Sequence, residues 1–302
     1  MRFAVDENQQ RILFDGVRIE PRWLQAPGIE QKIIVDASPR PRGARSIALV
    51  VGISDYSQAK LQASGQRTYW PNLANARWDA EELGQVLARN YGFTVKYLLD
   101  ADATHAKILG ALFELGKSVR ENDQVLIYYA GHGDIDRNST RGFWIPSDAY
   151  QQPTIGPQWI QSEQITNAIE GIKAAQVLLI SDSCYSAALN SAVGGISPLA
   201  TARTRAQAIA ELARMNARLV MTSGSFSPVP DGGAGKHSIF TGALIDSLKV
   251  NTGTLFGKDL FYRVQSLVLR RARELNQTPN PQYGGLDAVG HLGGDFMLQR
   301  TI

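Results

Sequence analysis

VLIYYAGHGD, residues 125–134, is an unbroken apolar run that stops at Gly131-His132-Gly133. Such a run, with no polar residue at alternate positions, marks a strand buried on both faces, as in a parallel sheet covered by helices. VLLISDSCYSA, residues 177–187, repeats the construction and ends in Asp182-Ser183-Cys184. In a doubly wound sheet reactive groups gather at the carboxyl ends of strands, where loops present side chains above a rigid layer. His132 and Cys184 are therefore both placed at strand tips.

Working outward, short Val/Ile/Leu-rich runs alternate with amphipathic stretches from residue 46 onward, the pattern of parallel strands joined by crossover helices. SIALVVGI (46–53) is the first strand. PNLANARWDAEELGQVLARNYG (71–92) is the first helix, with Leu73, Ala76, Ala80, Leu83 and Leu87 at helical spacing and Gly92 as its stop signal. Strands are expected at 93–99, 123–129, 174–182 and 217–222, and helices at 104–119, 161–170, 237–248 and 258–275. A Pro/Gly-rich stretch and a last short run, GGDFML (293–298), close the chain. Residues 186–207, small and unpatterned, read as a mobile loop. Residues 1–44 differ: Asp15-Gly16 between apolar runs signals a hairpin, and PRPRG (39–43) resembles a linker. The expected organisation is a small amino-terminal β appendage with linker, 1–44, and one α/β domain, 45–302.

Composition removes several function classes. The 31 basic and 28 acidic residues leave a net charge of +3, and the signs are interleaved, which gives counterion-driven nucleic-acid binding little support. A single cysteine forms no internal disulfide, which fits a reducing cytoplasm. The segment MRFAVDENQQ lacks a signal-peptide profile, and no apolar run approaches the roughly 18 residues of a membrane span. Histidines at 105, 132, 237 and 291 form no pair at metal-ligand spacing, so no metal or other cofactor is expected, with calcium activation left open. GGAGKHS (232–238) fails as a phosphate-binding loop, because Pro230 stands at the leading glycine and His237 at the magnesium-holding Ser/Thr. No G-x-S-x-G elbow is present, which argues against a serine hydrolase.

A thiol near neutral pH needs a base to become a nucleophile, and a histidine can then carry the proton to the leaving amine. A lone cysteine after an apolar strand is ordinarily an inert buried thiol. Pairing with His132 changes that reading. The glycines beside His132 let a peptide backbone approach, whereas His105 at a helix start, His237 in a loop and His291 in the tail have no comparable setting. Cys184 follows His132 by 52 positions (184 − 132), close to the roughly 50-residue spacing of caspases.

YYAGHGD followed by LLISDSCYSA resembles the caspase/metacaspase/paracaspase clan. SIALVVGISDY (46–56) with NARWDAEEL (75–83) resembles its first strand and helix, and GKHSIFTGALIDSL (235–248) with GGDFML resembles its small-subunit region. The likeness spans roughly 45–298. It implies a caspase-haemoglobinase-like three-layer α/β fold, with a large-subunit-like part (45–190), a mobile loop (186–208) and a small-subunit-like part (209–298). It also implies a cysteine endopeptidase acting through Cys184 and His132, with the amides of Gly133 and Cys184 as the oxyanion hole; the cytoplasmic location is expected from the composition. The sequence departs from the QACRG-like context of true caspases, and Tyr185 stands where many metacaspases carry histidine.

Metacaspases and paracaspases are similar in holding an arginine or lysine with acids at the positions of Asp182 and Asp79, and Asp231 is a third candidate. Two carboxylates on one pocket repel until a cation arrives. Arg203 and Arg205 are then candidate sites of self-cleavage. Expected partners are protein or peptide substrates and a regulatory partner at the appendage, with no nucleic acid or membrane. The alternatives are an Asp-specific caspase-type protease and a proteolytically silent caspase-fold scaffold or sensor.

Overall fold

The chain divides into an amino-terminal unit, Met1–Ser38, and a body, Pro39–Ile302. In the computed structural model the described residues are 3–6, 11–14, 17–18, 43–57, 70–136, 138–139, 141–151, 155–183, 212, 215–224 and 236–301. The first unit holds three antiparallel strands, β1 (Phe3–Asp6), β2 (Arg11–Phe14) and β3 (Val17–Arg18). Phe14 pairs with Val17 across the Asp15-Gly16 position, in keeping with the hairpin signal read there.

In the body the order is β4 (Ser46–Gly52), α1 (Ala76–Tyr91), β5 (Thr94–Leu99), α2 (His105–Ser118), β6 (Gln124–Ala130), β7 (Gly133–Asp136), β8 (Arg141–Trp144), β9 (Ile160–Gln161), α3 (Ser162–Glu170) and β10 (Gln176–Asp182). Then come β11 (Ala217–Thr222), α4 (Ile239–Lys249), β12 (Thr254–Phe256), α5 (Gly257–Glu274), β13 (Gln282–Gly285) and β14 (Met297–Gln299). The central sheet runs β13-β11-β10-β6-β4-β5, with only β13 antiparallel.

Every residue of β6 and β11 is buried, and the alternation along β6 feeds two separate cores. Val125, Ile127 and Tyr129 face one, with Ile108, Leu112 and Leu115 of α2 and Ile165 and Ile169 of α3. Leu126, Tyr128 and Ala130 face the other, with Ala80, Leu83 and Leu87 of α1, Leu244 and Leu248 of α4, and Leu260 and Val264 of α5. The result is the expected three-layer α/β architecture, with two helices, α2 and α3, on one face and three, α1, α4 and α5, on the other among the described residues. Gly92 ends α1 at φ 67°, and its amide donates to the Ala88 and Leu87 carbonyls, a left-handed stop that glycine adopts without a Cβ penalty. Arg45 and Asp123 clamp the starts of β4 and β6: the guanidinium donates to the Asp123 carboxylate, which also accepts from the Arg45 and Arg120 amides.

Three features differ from the sequence reading. The Pro/Gly-rich stretch before the carboxyl terminus supplies β13, an edge strand of the central sheet. The run GGDFML contributes β14 to a separate pair with β12. A three-stranded sheet, β7-β8-β9, follows directly from the His132 turn. Among the described residues no helix is long and apolar enough to cross a membrane.

Candidate active site

The chain runs from β4 outward to β5 and then returns to place β6 on the other side of β4, so strand order reverses at the β4–β6 boundary. Crevices at such reversals, beyond the carboxyl ends, are where α/β sheets bind and act on ligands. Gly52, Ala130 and Asp182 lie side by side as the last residues of β4, β6 and β10. Ala130 and Asp182 are directly paired on adjacent parallel strands about 4.8 Å apart; in the sequence His132 follows the first by two positions, and Cys184 follows the second by two. Cys184 lies outside the described residues, as do Asp231, Arg203 and Arg205.

His132 is held from several sides. Its amide donates to the Tyr56 hydroxyl (2.8 Å), its carbonyl accepts from the Tyr129 hydroxyl (2.6 Å), and its Nε2 lies 2.7 Å from the Pro71 carbonyl. A carbonyl only accepts, so Nε2 carries a proton and the lone pair of the neutral ring is on Nδ1. The ring also packs on Tyr56 and Trp70, with centroids 4.8 Å and 5.2 Å away. Burial pushes the Tyr56 hydroxyl well above the usual phenol range, so it stays a neutral partner. Leu73 donates to the Ser54 carbonyl and Tyr56 to the Asn72 side chain, which ties the loop bearing Tyr56 to the one bearing Pro71. Asp100, at φ 45°, accepts from the Ser54 and Asp55 amides and pairs with Arg77.

The flanking glycines have distinct reasons. A Cβ on Gly131 would stand 2.7 Å from the Tyr56 hydroxyl and 2.8 Å from that of Tyr129, so a side chain there would break the hydroxyl contacts that seat His132. Gly133 pairs with Trp144, while the His132 carbonyl accepts from Ile145. That pattern makes Gly133 a non-hydrogen-bonded pair of the ladder, and its own N–H points away from β8.

Asp79 and Asp182 meet at the amino terminus of α4. Asp182 accepts from the Ser238 hydroxyl (2.5 Å) and the Thr241 hydroxyl (2.7 Å), and Tyr128 in β6 lies 2.7 Å from that same Thr241 oxygen. Asp79, 1% exposed, accepts from the Ser238 amide (3.2 Å). Burial, and next the neighbouring charge of Asp79, push the Asp182 carboxyl up to about 6. Burial also raises Asp79, against the hydrogen bond from His237. The positive end of a helix dipole and its free amides make this a favourable seat for carboxylates.

The sequence reading gave His237 no part here, and the structure corrects that. His237 Nδ1 is 2.6 Å from Asp79, and its Nε2 is 2.9 Å from Glu82. These partners lie 158 and 155 positions away in the chain, so no local pattern announces them. His291 instead accepts from the Arg218 amide, and the His105 amide donates to Asp148. A cleft of about 270 Å³, lined by Trp78, Glu82, Lys236 and Lys249 among others, opens on the α1 side; neither His132 nor Asp182 lines it. Among the described residues no cluster of three or more His, Cys, Asp or Glu could hold a metal ion.

The family model of the caspase domain matches residues 45–287. The chain belongs to the caspase-domain family. The caspase domain is a cysteine-peptidase domain, and membership carries that general class of function. A solved structure of a protein from Geobacter sulfurreducens is 22% identical, covering 82% of this chain and 97% of its own, with a TM-score of 0.52. Caspase-1 from Spodoptera frugiperda is 13% identical over 80% of this chain and 87% of its own, with a TM-score of 0.47. No curated protein sequence matches the chain.

Proposed function

We propose that this caspase-domain protein is a cysteine endopeptidase that cleaves after arginine or lysine, with Cys184 as nucleophile and His132 as proton carrier. The observation that carries the specificity is the convergence of Asp79 and Asp182 at one helix terminus, with Asp182 two residues before Cys184. Acids brought this close attract a cation, since a guanidinium relieves their mutual repulsion and donates charge-assisted hydrogen bonds to them. A pocket for aspartate would need the opposite charge.

In the proposed reaction the Cys184 sulfur, its proton passed to Nδ1 of His132, attacks the scissile carbonyl. The oxyanion is stabilised by the Gly133 and Cys184 amides. Collapse breaks the C–N bond, and the His132 proton goes to the departing amine; water, giving a proton to His132, then attacks the thioester, the S–C bond breaks, the acid product leaves and the thiol is regenerated. The Pro71 carbonyl supports this role by orienting the ring, with Nε2 donating to it. Peptide bonds after Arg203 and Arg205 would then be substrates of the same site.

The test is a panel of fluorogenic peptides with Arg, Lys or Asp before the scissile bond. Turnover is expected with Arg and Lys, and it drops by more than about 1000-fold in Cys184→Ala or His132→Ala. Asp182→Ala is expected to raise KM for Arg peptides at least about 10-fold. Turnover of the Asp peptide alone, or Arg cleavage untouched by Asp182→Ala, refutes the specificity. Mass spectrometry of the incubated chain beside Cys184→Ala reads self-cleavage, and identical intact masses refute it.

A further inference from the structure

His237 occupies the position from which a cation would serve Asp79. Each ring nitrogen faces a carboxylate, Nδ1 that of Asp79 and Nε2 that of Glu82. Carboxylates only accept, so both nitrogens donate, which is the imidazolium form. The two oxygens of Asp79 go to His237 and to the Ser238 amide. With Asp79 1% exposed, no substrate side chain reaches it while the imidazole stays in place. Asp182 keeps part of its surface open.

The charges around the ring are unequal in their needs. On α1, Glu82 has a second cation in Lys249 of α4 at 2.6 Å, and Lys236 lies 3.6 Å from it. Asp79, also on α1, is flanked by the like charge of Asp182 on β10, and His237 is the ionisable cation bonded to it. From β6, the nearby Tyr128 hydroxyl is held neutral by burial. A buried pair of carboxylates with no cation would keep a proton on one of them. An imidazolium lessens that need and, once both acids are ionised, leaves the pair with the net charge a bound guanidinium would also leave.

We propose that His237 is the resident cation of the acid pair: its imidazolium holds Asp79 in the empty pocket and yields to the guanidinium or ammonium of an incoming basic side chain, shedding a proton as it does so. This rests on the reading of Asp79 and Asp182 as a pocket for basic side chains. His237 is then a positioning residue for specificity, coupling affinity to pH. Its pKa is raised above the usual imidazole value, chiefly by the hydrogen bond to Asp79. Below that pKa the charged ring competes with substrate, and above it the competitor loses its charge. Affinity for a basic side chain therefore improves as pH rises through it.

The test follows the histidine-ring resonances of Cys184→Ala protein through a pH titration, with the His237 signal assigned by its loss in His237→Gln. The probe is Nα-benzoyl-arginine amide, and Nα-benzoyl-norleucine amide is the uncharged control. Saturating arginine probe is expected to lower the His237 midpoint by half a unit or more with release of protons. Norleucine is expected to leave it in place, and Asp182→Asn to abolish the effect. If the arginine probe binds in an Asp182-dependent way and the His237 midpoint does not move, this inference falls and the pocket reading stands. If the arginine probe does not bind, or both probes bind alike, the pocket reading falls and takes this inference with it.

Discussion

The seat of His132 depends on hydroxyl groups that make no contact with substrate chemistry in the proposed reaction. The Tyr56 hydroxyl accepts a hydrogen bond from the His132 amide, and the Tyr129 hydroxyl, on a ring stacked 4.2 Å from Trp144, donates to the His132 carbonyl. Tyr56→Phe removes the acceptor from a partly buried amide, at a cost of about 1–3 kcal/mol. A small misplacement of the proton carrier lowers turnover far more than binding, so kcat for Arg peptides should fall about 10- to 100-fold with KM little changed. Steady-state kinetics beside a denaturation curve checks this; full kcat in a folded Tyr56→Phe would show that the hydroxyl does not position the ring. The place of His132 just past a strand tip was legible because glycines stand out at the end of an apolar run; Cys184, picked out by a polar break, lies outside the described residues. Tyr56, 76 positions from His132, was not, since a tyrosine after a strand has no periodic signature. His237 escaped for the same reason: GKHS reads as a loop until α4 folds against α1.

Among the elements, those with strong periodicity were the readable ones. The α1 helix was readable from Leu83 and Leu87 to Gly92, and the β6 and β10 strands from unbroken apolar runs. Strand β13 hid in a Pro/Gly-rich stretch because an edge strand with four half-buried residues needs no alternation. Its neighbourhood nevertheless imposes a strict demand at Gly224. That residue, at φ +73°, has the Asn280 carbonyl oxygen 1.4 Å from where a Cβ would stand. Gly224→Ala therefore combines a forbidden dihedral with a backbone collision. It should destabilise by more than about 4 kcal/mol, read by urea unfolding or as loss of soluble folded protein. A variant within about 1 kcal/mol of the parent would contradict the close approach of residue 280 to the end of β11.

For the molecule as a whole, buried acids pull the pH dependence of stability in two directions. Asp182, raised to about 6 by burial and then by Asp79, is stabilised by staying protonated. So are Asp79 and Asp295, both raised by burial. Stability from these groups is present at low pH and is lost as pH rises through their folded values; His237, raised chiefly by its bond to Asp79, has the same sign. Burial alone would raise Asp123, but Arg45 and two amides prevail and hold it low. Lys249, more than any other neighbour, lowers Glu82. Those contributions vanish as pH falls. Stability should therefore peak near about pH 5 and decline toward pH 8. Asp182→Asn should remove about 1–3 kcal/mol of that decline, measured by urea unfolding at the two pH values. A parent more stable at pH 8, or an unchanged slope in Asp182→Asn, would refute it. What the sequence determined alone is the layered alternation of strands and helices and the placing of His132 and Asp182 at strand tips, because these follow from periodicities of a few residues. Only the tertiary structure decided that Asp79 is sealed under His237 and that Pro71 and Tyr56 hold His132, because hydrogen bonds spanning 61 to 158 positions exist only once the sheet has brought distant loops to one edge.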